Sequence, residues 1–256
     1  MTPLLETRGL SKTFGGLKAV QKVDLRIETN RIVSVIGPNG AGKTTFFNCL
    51  SGIYRPDGGS ILLEGRDITG RTPHQVCRRG VSRTFQNIRL FPEMSVLENV
   101  LVAQFQHRSL SPLSLLFRSA RFCAKEKQSR DEALALLDFV GLAQLSEACS
   151  GNLAYGLQRR LEIARALATR PRLLLLDEPA AGMNPQETVE MVRLISRIRE
   201  RGLAILLIEH HMKVVMTISD EILVLDHGVP IAHGTPEQVR NDPQVIKAYL
   251  GEEIPN

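Results

Sequence analysis

Along this chain the period of the apolar positions changes several times, and each change marks a different kind of element. From Leu4 to Phe14 and from Ala19 to Ile27 apolar and polar residues alternate, most clearly at Val23, Leu25 and Ile27, which predicts two strands separated by Gly15-Gly16. The β-branched run Arg31-Ile-Val-Ser-Val-Ile36 follows and stops at Gly37. It does not alternate, as expected of a strand buried on both faces. Beyond a glycine-rich loop, Phe46, Phe47 and Leu50 return at helical spacing. From Ser95 to Ala168 strand signals are scarce and the spacing is helical, as at Leu134, Leu137 and Val140. Within that stretch Arg118 to Arg130 is basic and weakly apolar, which predicts an exposed helix or a mobile segment.

The last third alternates strand and helix. Leu173 to Asp177 and Ala204 to Ile208 read as buried strands. The helix between them is well marked: Asn184 as N-cap, Pro185 at the first helical position, Glu187 completing a capping box, and Gly202 as the stop. Its apolar stripe is expected from Val189, Val192 and Ile195, with Met191, Leu194 and Ile198 beside it. A hairpin is predicted from Glu221–Leu225 and Val229–Ala232, turning at Asp226-His227-Gly228. Strands without alternation, separated by helices, give an α/β fold with a mainly parallel sheet covered on both faces and interrupted by a helical insertion.

Composition narrows this only a little. The 256 residues are 43% hydrophobic and 23% charged, an ordinary globular balance that allows one large domain or two small ones. The longest apolar stretches are far below the roughly 18–20 residues of a membrane-spanning helix. Met1 to Leu10 carries charge, so no export peptide is expected. Cys49, Cys77, Cys123 and Cys149 are spaced irregularly, with no metal-ligand pattern, and are expected to be reduced thiols. A net charge of +5 selects no partner among nucleic acid, anionic membrane and phosphate ligands.

Two segments carry chemistry on their own. Gly37-Pro38-Asn39-Gly40-Ala41-Gly42-Lys43-Thr44 has the GxxxxGK[ST] spacing of a phosphate-binding loop and lies between a predicted strand and a predicted helix. Its glycines let backbone N–H groups point inward, the helix N-terminus favours the same anion, Lys43 would neutralise β- and γ-phosphate oxygens, and the Thr44 hydroxyl would hold Mg²⁺. Leu173-Leu-Leu-Leu-Asp177-Glu178 delivers two carboxylates at the C-terminal end of a buried strand, where open α/β sheets bind ligands. There Asp177 would sit near Mg²⁺, directly or through water, and Glu178 would orient or deprotonate an attacking water.

Leu153-Ala154-Tyr155-Gly156-Leu157-Gln158, followed by Arg159-Arg160 and a helical run to Leu167, resembles the signature sequence of ATP-binding cassette (ABC) ATPases. The resemblance spans nearly the whole chain. It implies a P-loop NTPase (RecA-like) core with an N-terminal antiparallel β subdomain and an inserted α-helical subdomain, in one ABC ATPase domain. Residues 1–93 and 165–256 would form the core, and 94–164 the helical subdomain ending in the signature. It further implies that Phe14 stacks on adenine, that Val20 and Thr45 join the phosphate loop in binding ATP, and that Gln86 meets Mg²⁺ and the attacking water. Ala180–Asn184 would be the loop after the carboxylates, and His210 would hydrogen-bond the γ-phosphate. Two cassettes would stack head to tail, each signature closing on the ATP held by the other.

Three positions depart from the family pattern: Ala154 replaces the usual signature serine, Asn184 stands where many relatives carry Asp, and His211 follows His210 where Asp is frequent. Losing the serine removes one neutral hydrogen bond, about 0.5–1.5 kcal/mol. The signature, Asp-Glu-Pro-Ala-Ala-Gly-Met-Asn-Pro, and the tail around Gly234-Thr-Pro-Glu-Gln and Ala248-Tyr-Leu-Gly-Glu252 are similar to the longer ATPase subunit of bacterial branched-chain amino acid importers, whose extended stretch corresponds to Leu101–Arg130. That implies two separate transmembrane permease subunits, a periplasmic substrate-binding protein reached indirectly, and a peripheral position on the cytoplasmic face of the cell membrane. Arg89 and Phe91 are the expected contacts to the membrane partner. The second cassette is a copy of this chain or a sister chain. The alternatives are a lipopolysaccharide-export type or other ABC transporter ATPase, and a soluble ABC ATPase acting on nucleic acid, although no nucleic acid partner is expected.

Overall fold

The computed structural model describes residues 2–105 and 120–250. Two sheets organise it. The N-terminal one is antiparallel, in the order β2-β1-β4-β5, built from β1 (Leu5–Phe14), β2 (Leu17–Ile27), β4 (Gly58–Leu63) and β5 (Arg66–Asp67). The second has six strands in the order β10-β9-β3-β8-β7-β6. These are β3 (Ile32–Ile36), β6 (Val81–Arg83), β7 (Leu173–Asp177), β8 (Ala204–Ile208), β9 (Glu221–Asp226) and β10 (Val229–Gly234). All of its pairings are parallel except the β9–β10 hairpin at its edge. The fold is therefore a P-loop NTPase core with an antiparallel β subdomain and inserted helices.

The central strands are apolar on both faces because each face has its own core. In β7, Leu173 and Leu175 pack with the antiparallel sheet and with α1 (Lys43–Leu50), whereas Leu174 and Leu176 pack with helices of the insertion. In β8 the same division separates Leu206 and Ile208 from Ile205 and Leu207. The insertion contributes α3 (Val96–Gln104), α4 (Ala120–Phe139) and α5 (Tyr155–Ala168), through Val96, Val100, Leu137, Leu161 and Ala164. Its apolar side is thus continuous with one face of the parallel sheet.

Several expectations need adjusting. Of the segment from Arg118 to Arg130, residues 118–119 lie outside the described residues, as do 106–119 of the longer Leu101–Arg130 stretch. From Ala120 the chain is helical, and 123–130 are exposed except Ser129, as the basic composition requires. In α6 (Pro185–Glu200) the buried stripe is Met191, Leu194, Ile195 and Ile198; Val189, assigned to it from spacing, is 49% exposed because at 3.6 residues per turn it points to the side of the helix opposite Met191 and Ile198. Strands β4, β5 and β6, and the short helices α2 (Pro73–Arg78), α7 (Met212–Ile218), α8 (Pro236–Arg240) and α9 (Pro243–Leu250), were not anticipated. Each is too short for a period to declare itself, and β4 begins with two glycines.

Candidate nucleotide site

The phosphate loop is wedged between backbones. A Cβ at Gly37 (φ +148°) would lie 2.0 Å from the Leu225 carbonyl oxygen, and one at Gly42 (φ +97°) would lie 2.1 Å from that of Ala19. Only glycine allows this approach while leaving the first turn of α1 facing the opening. Lys43 is buried, and its Nζ donates to the carbonyls of Gly37 at 2.7 Å and Pro38 at 2.8 Å. Burial pushes the Lys43 ammonium below its ordinary pKa, opposed by the negative charges of Glu178 and Asp177. A desolvated cation held only by carbonyl dipoles at a helix N-terminus is suited to receive a phosphate anion.

A cleft of about 480 Å³ opens over the loop. It is lined by Asn39, Gly40, Ala41, Gly42, Lys43, Thr44 and Thr45, by Phe14, Leu17, Lys18, Ala19 and His227 on one side, and by Gln86, Glu178 and His210 on the other. Phe14 is 41% exposed and rests edge-on against Tyr54, with ring centroids 5.2 Å apart. Its strand end is pinned by Asp57, which accepts from the Thr13 N–H at 2.7 Å and from Lys12 Nζ at 2.9 Å. Val20 does not line the cleft: it is 1% exposed in the core with Val23, Leu25 and Ile27, and the cleft wall is formed by its neighbour Ala19, on the opposite face of the strand.

At the far wall three predicted residues meet. Glu178 Oε2 accepts from Gln86 Nε2 at 3.0 Å, and Glu178 Oε1 lies 2.6 Å from His210 Nε2. Glu178 adopts φ +51°, uncommon for a residue with a side chain, and its N–H is fixed on the Ile208 carbonyl at 2.9 Å. The strand end thereby turns its carboxylate into the cleft. Asp177, one residue earlier, is buried and does not line the cleft. Its Oδ2 accepts from Arg83 at 2.7 Å, and Arg83 also donates to Asn48 and Ser51 of the loop-helix segment. Among the described residues no cluster of three or more His, Cys, Asp or Glu side chains is placed to hold a metal by itself. Thr44 hydroxyl and Asp177 carboxylate oxygens beside a phosphate cradle do match the hard donors of Mg²⁺, which is usually held through substrate phosphates, water and one or two carboxylates.

The signature lies apart from this cleft: none of Leu153, Ala154, Tyr155, Gly156, Leu157 and Gln158 lines it. Ala154 caps α5, and Gly156, in its first turn, is buried so close to α6 that a Cβ there would stand 3.0 Å from Glu187 Oε1. Tyr155 is exposed beside Gly182 of the Ala180–Asn184 loop. A second, wider groove of about 650 Å³ is lined in part by Ile53, Pro73, Phe85, Arg89, Leu90 and Phe91. Arg83 and Glu209 are among the residues that escaped the sequence reading. Arg83 reads there as an ordinary strand residue. Glu209 is buried and accepts from the N–H groups of Ala180 and His210, so it joins the loop after Glu178 to the His210 segment. A carboxylate adjoining an apolar strand was the one available signal for it.

Phosphate loop, strand-end carboxylate and His210 in this order on this sheet have the layout of a nucleotide-binding cassette, and comparison with known proteins agrees. Residues 20–181 match the ABC transporter family, and the chain belongs to it. Residues 229–254 match the family described as branched-chain amino acid ATP-binding cassette transporter. The chain is 54% identical, over 98% of both chains, to the high-affinity branched-chain amino acid transport ATP-binding protein BraF of Pseudomonas aeruginosa. It is 53% identical, again over 98% of both, to LivG of Escherichia coli, which carries the same description. Among solved structures it resembles the ADP conformation of the cassette MJ1267, at TM-score 0.86 and 33% identity, covering 98% of this chain and 100% of that one. A nucleotide-free ABC transporter cassette matches at TM-score 0.85 with the same identity and coverage.

Proposed function

We propose that this chain is the ATP-hydrolysing subunit of an importer of branched-chain amino acids, peripheral to the cytoplasmic face of the membrane. The observation that carries the hydrolytic part is the meeting of Gln86 and His210 on the two oxygens of Glu178 beside the phosphate loop. Glu178 is the general base for an attacking water, and Gln86 and His210 hold its carboxylate in orientation. Lys43 and the N–H groups of Gly40–Thr45 hold the triphosphate, and Phe14 supports the adenine. Mg²⁺, when bound, would neutralise phosphate charge; Thr44, Gln86 and Asp177 would hold it, partly through water, and Arg83 keeps the Asp177 carboxylate in place.

The names of the relatives support the cargo, and the assembly is the one that the family resemblance implies. In that assembly a second cassette, a copy or a sister chain, stacks head to tail so that Ala154–Gly156 closes on its nucleotide. Of the two permease subunits, one docks on the 650 Å³ groove at Arg89 and Phe91, and a periplasmic binding protein delivers the amino acid to the pair. No helix among the described residues is long and apolar enough to cross a membrane, which fits a partner that supplies the membrane span. Residues 94–164 would respond to the partner as a helical subdomain.

The test is ATP turnover of the purified chain. Glu178→Gln should retain Mg-ATP binding and lose turnover by about a hundredfold or more. Equal turnover in both proteins would refute Glu178 as the base. Leucine uptake by vesicles carrying the reassembled transporter tests the cargo, and ATP turnover stimulated instead by a lipid substrate would favour the exporter reading.

A further inference from the structure

We propose that Arg159 is a positioning residue for hydrolysis, fastening the loop that carries Gln86 to the first turn of the signature helix so that the two shift together. The inference rests on Gln86 and Glu178 as hydrolytic residues and on the signature turn as a surface for a second cassette.

Arg159, Glu162 and Arg165 recur every three residues of α5 on one face, and that face addresses the backbone of residues 85–89. Arg159 Nη1 donates to the Phe85 carbonyl at 2.6 Å, and Nη2 donates to that of Gln86. Glu162 Oε1 accepts from the Phe85 N–H at 3.1 Å. Arg165 Nη1 donates to the Arg89 carbonyl. The loop is thus gripped by groups that do not depend on its side chains, leaving the Gln86 amide free for Glu178 and the Arg89 and Phe91 side chains in the groove.

The other side of the guanidinium is tied to the signature itself. Arg159 Nε and Nη2 donate to the Tyr155 phenol at 3.1 and 2.8 Å, and Nη1 donates to Glu162 Oε2 at 3.2 Å. Every one of its five N–H groups therefore has an acceptor, while the residue is only 3% exposed. Tyr155 occupies the signature position beside Gly156, so one buried fork joins the catalytic loop to the turn that faces outward. A lysine retains the charge but lacks the planar fork needed to hold two carbonyls and a phenol at once. Burial pushes the Glu162 carboxyl above its usual range, and the Phe85 N–H and Arg159 pull it back in part.

The full chain with Arg159→Lys or Tyr155→Phe tests this, beside wild type and Glu178→Gln. Equilibrium titration of Mg-ATP should give affinities within about twofold of wild type, while kcat falls about tenfold to a hundredfold for Arg159→Lys and less for Tyr155→Phe. In hydrogen–deuterium exchange, wild type should respond to Mg-ATP in both the 84–90 and 153–160 peptides. In Arg159→Lys the response of 84–90 should persist and that of 153–160 should be lost. Unchanged kcat, affinity lost in step with kcat, or coupled exchange of both peptides in Arg159→Lys would overturn the proposal. Should Arg159→Lys fail to fold, Tyr155→Phe decides by the same readouts. If Glu178→Gln retains full turnover the hydrolytic reading fails; if it is inactive while Arg159→Lys is fully active, only the role of Arg159 falls.

Discussion

Glu178 combines an unfavourable backbone conformation with two side-chain partners, and each feature accounts for part of the site. Its φ of +51° turns the carboxylate out of the strand line, and Gln86 and His210 then occupy its two oxygens. Phe14 works differently. It is an exposed ring on a strand end that Asp57 holds by two hydrogen bonds, so it presents a flat apolar face at little ordering cost. Phe14→Ala should weaken ATP binding by about 1–3 kcal/mol, by analogy with base–aromatic stacking. Titration with a fluorescent nucleotide measures this, and an unchanged Kd would remove Phe14 from the site. Lys43, Asp177 and Glu178 were legible from spacing alone, because their chemistry is local to a loop or a strand end. Arg83, Arg159 and Glu209 were not, because their partners lie far away in the chain.

At the scale of elements, caps and pins decide more than propensity. Asn184 Oδ1 accepts the Glu187 N–H at 2.9 Å, and Glu187 returns the bond to the Asn184 N–H, a complete capping box at the start of α6. Asn184→Ala should cost about 1 kcal/mol in denaturant unfolding, provided the transition is two-state. Asp57 pins the β1–β2 hairpin. The Thr13 N–H foremost, then Lys12, hold its carboxyl below the usual carboxylate range. A folded-state pKa below the unfolded one contributes stability that is complete above the ordinary carboxylate pKa and lost as pH falls through the folded value. Asp57→Asn should therefore melt below wild type at neutral pH, and the gap should close in acid. A gap independent of pH would show that the charge is not responsible. The capping box was readable in the sequence because its residues are three apart, whereas Asp57 and Thr13 are joined only by the fold.

For the whole molecule, the division of each central strand between two cores is the main mechanical fact. One face of β7 and β8 shares its core with α1 and the antiparallel sheet, the other with the inserted helices. Nucleotide loop and helical insertion are thereby packed on opposite sides of the same strands, and the loop from Thr84 to Pro92 crosses between them. Phe91 ends that loop with its ring 44% exposed, while its N–H and carbonyl are fixed by Asn99 and Ser150. An exposed aromatic on a fixed backbone is the form of a docking contact. Phe91→Glu should leave ATP binding by the free chain unchanged and abolish copurification with the permease subunits. Retained copurification would move the docking surface elsewhere.

The sequence by itself determined strands β1 to β3 and β7 to β10, the phosphate loop, the acidic pair and the capped helix, because periodicity, caps and glycine spacing act over a few residues. It also carried enough of the family pattern to place Phe14, Gln86 and His210 in order along the chain. Only the tertiary structure decided that Val20 turns into the core while Ala19 faces the cleft, that Gln86 and His210 meet on Glu178, and that a buried arginine ties the signature to the loop carrying Gln86. Those contacts join residues 32 to 92 positions apart. Burial, not local preference, sets which of their polar groups must find each other.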